Sequence, residues 1–129
     1  MKISKVSDGK QGQIAVVEEL PDNIYSIRFI LESLGYKVAS VTPQQDYIEG
    51  IRRMKPDLII VDMLIPGKRG LEVIEDLVSS DMRGVPSMAI TADAVAIEEK
   101  ELRRLGFGDV LNKPYTVTQL QEKLKKYLP

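Results

Sequence analysis

Leu58-Ile59-Ile60-Val61-Asp62-Met63-Leu64-Ile65-Pro66-Gly67 is the stretch whose reading decides the fold. An uninterrupted apolar run rich in β-branched residues, closed by Pro-Gly, has the pattern of a strand buried on both faces. Asp62 is then the first polar group where that strand leaves the core.

Shorter runs of the same kind lie on both sides. Ile14-Ala15-Val16-Val17 ends at Glu18-Glu19, and Lys37 to Val41 alternates as an edge strand does. Pro86 to Ile90 exits into Thr91-Ala92-Asp93, and Asp109 to Leu111 exits into Asn112-Lys113-Pro114-Tyr115. Helical spacing fills the intervals. Ile27, Ile30, Leu31 and Leu34 give a one-faced helix stopped by Gly35, and Thr42-Pro43-Gln44-Gln45 reads as a capping box opening a helix that buries Tyr47, Ile48 and Ile51. Leu71, Ile74, Leu77 and Val78 mark a third helix from near Gly70. Val95, Leu102 and Leu105 mark a charged fourth carrying a Glu99–Arg103 pair. Thr116-Val117-Thr118-Gln119 caps a last helix with Val117, Leu120, Leu124 and Leu128 inward, and Lys123, Lys125 and Lys126 at the negative end of its dipole. Strands alternating with helices predict an α/β fold: a (βα)5 three-layer sandwich whose parallel sheet has the flavodoxin-like order 2-1-3-4-5.

At 129 residues the chain fits one domain, expected over 13–129, with residues 1–12 as a flexible tail lacking the apolar core of a secretory signal. There is no Cys, which removes disulfides and thiol chemistry and suits a reducing, cytoplasmic setting. There is no His either, so Ser-His nucleophiles, His-ligated metals and phosphohistidine carriers are excluded. With 18 basic and 19 acidic residues the net charge of −1 points to neither a nucleic-acid nor a membrane partner, and no apolar run approaches a membrane span.

In an open parallel sheet, ligands bind beyond the carboxyl ends of the strands, where strand order reverses. Glu18, Glu19, Asp62, Thr91 and Lys113 are delivered there. Crowded carboxylates are best neutralised by a hard divalent cation, and Mg²⁺ fits because it takes one or two carboxylates while keeping several waters. Lys113 and Thr91 add a cation and a hydroxyl where an incoming anion needs them. Together the residues describe a site for moving a phosphoryl group onto Asp62.

Val16-Val17-Glu18-Glu19, Asp62 to Gly70 with Pro66, Thr91-Ala92 and Lys113-Pro114-Tyr115 resemble, in order and spacing, the response-regulator receiver domain of two-component signalling, over about residues 13 to 128. The resemblance implies that Asp62 accepts phosphate from a kinase phosphohistidine in a domain that catalyses its own phosphorylation and dephosphorylation. It also implies that Glu18, Glu19, Asp62 and the Leu64 backbone carbonyl hold Mg²⁺, that Thr91 bonds a phosphoryl oxygen, and that Lys113 pairs with the acyl phosphate. The Lys113-Pro114 bond is expected to be cis. The implied partners are a sensor histidine kinase or phosphotransfer protein and an output protein or domain, met on the exposed face of the last two helices.

Three departures stand against the family pattern: the acidic pair is Glu18-Glu19 rather than containing Asp, Val110 occupies the position of a frequent aromatic switch, and Arg69 replaces a frequent Asp. The longer acidic side chains predict weak Mg²⁺ binding or an added water in the shell. The double Glu and Val110 leave open a phosphorylation-independent pseudo-receiver acting as a protein-interaction module. A haloacid-dehalogenase-type hydrolase needs a second Asp where Leu64 stands, and a flavodoxin-like cofactor binder is opposed by the charge of Glu18-Glu19. A stand-alone receiver and a domain excised from a longer regulator are both compatible with a chain ending at Tyr127-Leu128-Pro129.

Overall fold

The computed structural model describes residues 12–18, 21–44, 46–63, 68–92 and 96–128. Among the described residues, five strands, β1 (Gln13–Val17), β2 (Lys37–Val41), β3 (Leu58–Asp62), β4 (Ser87–Thr91) and β5 (Asp109–Asn112), alternate with five α-helices. The helices are α1 (Pro21–Ser33), α2 (Tyr47–Met54), α3 (Lys68–Val78), α4 (Ala96–Leu105) and α5 (Val117–Lys125). The sheet is parallel throughout, in the order β2-β1-β3-β4-β5. The flavodoxin-like topology predicted from the strand and helix rhythm is therefore the one observed.

The central strand behaves as its composition requires. Every residue of β3 is buried, and its side chains alternate between two cores. Leu58 and Ile60 join Ile14, Val16, Leu31, Leu120 and Leu124 on one face; Ile59 and Val61 join Ala15, Val17, Ile51, Val73 and Ile74 on the other. Covering both faces is what makes a continuous apolar run stable in this place.

Several local expectations hold, and others need correction. Gly35 adopts φ 99° and ends α1, its N–H reaching the Glu32 carbonyl at 3.0 Å. Thr116 and Gln119 form the expected reciprocal cap at the start of α5, with bonds of 3.0 and 2.9 Å. The Glu99–Arg103 pair is present at 3.1 Å. Thr42-Pro43-Gln44, however, does not open α2. These residues form a turn in which the Gln44 N–H donates to the Thr42 carbonyl at 2.7 Å, and the helix starts at Tyr47 after Asp46 in the left-handed region. The left-handed backbone at Asp46 separates this turn from the helix. Helix α3 begins at Lys68, ahead of Gly70, and its core side is Val73, Ile74 and Leu77; Leu71 and Val78 are 37% and 42% exposed. Val117, the first residue of α5, is 47% exposed rather than inward, because the cap turns it away from the Leu120–Leu124–Leu128 stripe. A short 3-10 helix, Asp81–Gly84, which buries Met82, was not foreseen.

Residues 1–11 of the expected tail, Val95 and Arg69's side chain lie outside what is described. Gly12 lies against the sheet, its carbonyl accepting from the Lys37 N–H at 2.9 Å. Among the described residues, no helix is long and apolar enough to cross a membrane.

Candidate functional site

The parallel register brings the strand ends level. Val17 lies beside Val61, Asp62 beside Ile90, and Thr91 beside Asn112, so Glu18, Asp62 and Thr91 leave three adjacent strands along one edge. The order reversal falls between β1 and β3, between Glu18 and Asp62. Backbone bonds carry the ladder past the strands: the Met63 N–H donates to the Ile90 carbonyl at 2.7 Å and the Lys113 N–H to the Thr91 carbonyl at 2.8 Å. The Lys113–Pro114 peptide is cis.

These bonds set Lys113 at the edge of the sheet, and its side chain crosses β4 to reach Asp62. The Lys113 ammonium donates to Asp62 Oδ2 at 3.0 Å. The Asp62 side chain is only 6% exposed and that of Lys113 24%, so the attraction acts where water screens it poorly. Glu18 is fully buried one register step along β1 from Val17, and Thr91 is buried at the end of β4. Among the described residues, this buried edge carries the carboxyl groups of Glu18 and Asp62 and the ammonium of Lys113. Oxygen donors at adjacent strand ends suit a small hard cation such as Mg²⁺. Glu19 and Leu64, the other expected donors, lie outside the described residues, as do Pro66 and Gly67. Among the described residues, no three acidic side chains gather into a metal-binding group.

Beside the Asp62–Lys113 pair opens a cleft that, among the described residues, is also lined by Ile27 and Ile30 of α1, Ile90 and Ala92 at the end of β4, and Pro114-Tyr115 of the β5–α5 connection. Tyr115 is half-buried, and burial first, then the negative charge of Asp62, push its phenol above its ordinary range. Val110 is 4% exposed and packs in the core with Val61 and Phe107, so it is an aliphatic packing residue at this position.

Two features escaped sequence reasoning. A Cβ at Gly70 would run into the Met63 side chain, so the glycine lets the residue that follows Asp62 lie flat against α3. Asp109, read only as the start of a strand, is 1% exposed and receives Lys123 at 2.7 Å, Lys126 at 3.1 Å and Arg103 at 3.2 Å. It lies at the opposite edge of the sheet from Asp62. The i, i+3 spacing of the two lysines marked a helix face, but nothing in the sequence names the acid that meets them.

Comparison with known proteins bears on this edge. Residues 14–125 match the response regulator receiver domain. The chain is 31% identical over 116 residues to the polar-differentiation response regulator DivK of Brucella anthropi, covering 89% of this chain and 94% of that one. Its fold superposes on the chemotaxis response regulator CheY4 of Vibrio cholerae with a TM-score of 0.79 at 18% identity, over 92% of this chain and 100% of that one. The signal receiver domain of a signal transduction histidine kinase from Syntrophus aciditrophicus gives a TM-score of 0.76 at 27% identity, over 91% of this chain and 89% of that one.

Proposed function

This chain belongs to the response regulator receiver domain family, and from that premise we propose that Asp62 is its phosphoacceptor, taking a phosphoryl group from the phosphohistidine of a histidine kinase or phosphotransfer protein. The observation that carries the reading is Lys113 Nζ at 3.0 Å from the buried Asp62 carboxylate at the strand-order reversal. An Asp62 oxygen is the nucleophile. Lys113 moves from the carboxylate toward the acyl phosphate and offsets its charge, and the Thr91 hydroxyl donates to a phosphoryl oxygen. Glu18, Glu19, Asp62 and the Leu64 carbonyl would hold Mg²⁺, which supplies charge neutralisation at the transferring group. The acyl phosphate then alters binding to an output protein or domain, in a cytoplasmic signalling route. Incubation with Mg²⁺ and acetyl phosphate is expected to add one phosphate by intact-mass measurement; no adduct from a small donor or from a kinase would overturn the reading.

A second reading, a phosphorylation-independent interaction module, is favoured by one observation: Val110 is packed in the core where the family often carries a mobile aromatic. Magnesium separates the two. A phosphoacceptor site binds the ion only when folded, so millimolar Mg²⁺ is expected to raise the melting temperature, by RT ln(1 + [L]/Kd) in free energy. A flat titration through tens of millimolar supports the interaction module.

A further inference from the structure

Resting on the phosphoacceptor reading, we infer that Ser40 of β2 is a positioning residue for Glu18: its enclosed hydroxyl holds the inner carboxylate oxygen of Glu18, which leaves the outer oxygen for Mg²⁺. The observation behind it is an orphaned group. Ser40 is half-buried as a residue, but its Oγ is enclosed, and no hydrogen bond reaches it from the described residues. A buried hydroxyl without a partner costs free energy, so one kept inside a fold calls for a use other than packing.

Register shows which group it serves. Ser40 lies beside Val16, and the Glu18 N–H donates to the Val41 carbonyl at 3.0 Å, so the ladder between β1 and β2 continues one step past the strands. Alternate residues of a strand share a face. Val38 and Val16 both stand in the core that Ile27 and Leu31 of α1 cover, and Ser40 and Glu18, two positions further along each strand, come to that same face. Ile60 belongs to this core too, and Asp62, two positions on, lines the cleft with Ile27 and Ile30. Ser40, Glu18 and Asp62 therefore sit on β2, β1 and β3, three neighbouring strands, on one side of the sheet. The hydroxyl is set two residues back along the strand direction from the fully buried Glu18, on its inner side.

A carboxylate that ligates a metal is held by hydrogen bonds of its own, and losing such a support typically lowers metal affinity about 10- to 100-fold. Glu18 has one torsion more than an Asp would have, and each free torsion must be fixed before the oxygen is in place. A donor beneath the carboxylate fixes it. Ser40 acts through Glu18, and its cost in the metal-free fold is the cost of keeping that donor ready.

Ser40→Ala is expected to give opposite signs in two measurements. Without metal, removing the orphaned hydroxyl raises the melting temperature by about 3 °C. The Mg²⁺ Kd, fitted from melting temperatures over a Mg²⁺ series, rises about tenfold. Ser40→Thr keeps the hydroxyl and holds the Kd within about threefold of wild type. If Ser40→Ala does not fold, Ser40→Cys, whose thiol is a weak donor, decides on the Kd. A variant with an unchanged Kd overturns this inference and leaves Asp62 as phosphoacceptor, and so does an Ala variant that loses metal-free stability and Mg²⁺ affinity together. A wild type whose melting ignores Mg²⁺ overturns it as well; if acetyl phosphate also leaves that wild type unlabelled, the phosphoacceptor reading falls with it.

Discussion

If Asp62 is the phosphoacceptor proposed above, Asp62→Asn is expected to take up no phosphate from acetyl phosphate or phosphoramidate over times at which the wild-type chain is labelled. The amide keeps the shape and volume of the carboxylate at the end of β3 but carries no anionic oxygen, so the nucleophile is lost rather than weakened. Lys113→Met should behave differently. The nucleophile survives, and what disappears is the ammonium 3.0 Å from it, so phosphorylation slows by about 10²- to 10³-fold, the usual effect of deleting one charge-stabilising donor. The stabilities should also part. Asp62→Asn loses the pair with Lys113 but removes one of two carboxylates at neighbouring register positions, and these terms oppose, leaving a net change within about 1 kcal/mol. Lys113→Met leaves Asp62 buried beside Glu18 without its counter-charge and is expected to destabilise by about 2–3 kcal/mol. Intact-mass time courses and thermal unfolding of the two variants check both halves. An adduct on Asp62→Asn at the wild-type rate would move the phosphoacceptor elsewhere.

The fold could be read from the sequence because its decisive signals are local. A buried parallel strand writes itself as an apolar run, and Leu58 to Val61 with Asp62 at its end identified the strand, its burial and the edge that carries the candidate site. What failed were signals that tertiary packing overrides. Thr42-Pro43-Gln44-Gln45 has capping-box composition, yet Thr42 to Gln44 form a turn that the left-handed Asp46 separates from the helix; Leu71, Val78 and Val117 satisfy helical spacing, yet a helix on a sheet buries a narrower stripe than the count of apolar residues suggests. Within the site, Asp62 and Lys113 were legible because strand ends and the Lys-Pro step are sequence features. The cleft was not, since its walls Ile27, Ile30 and Tyr115 come from segments distant in the chain and looked like ordinary core positions. Long-range ion pairs are opaque for the same reason, and Asp109 is the clearest case.

Asp109→Asn is expected to destabilise the domain by about 2–3 kcal/mol at pH 7, with the loss fading in acid. The acid is 1% exposed at the start of β5, and two of its partners are Lys123 on α5 and Lys126, which caps its C-terminal end, so the cluster fastens the last helix to the last strand. Burial pushes the Asp109 carboxyl up, but hydrogen bonds from Lys123, the Val110 N–H and Lys126, together with the charge of Lys123, outweigh it and hold the pKa at about 2. In the unfolded chain the same group titrates near its ordinary value of 3.8. The folded state therefore favours the charged form. Its contribution, about 2 kcal/mol, is full above pH ~4, where both states are ionised, and disappears as pH falls from about 4 toward 2. The lysines are not stranded by the mutation: side-chain exposures of 26% and 59% let water replace the lost partner, which keeps the effect below the 3–5 kcal/mol typical of a fully buried pair. Asn retains an oxygen for the Val110 N–H, which donates to Asp109 Oδ1 at 2.9 Å, so the variant isolates the charge from the backbone bond. Urea unfolding of wild type and Asp109→Asn at steps from pH 7 to pH 3 measures the gap directly. It should stay constant to about pH 4 and then narrow; a gap that persists unchanged at pH 3 would assign the loss to packing instead of to the buried charge.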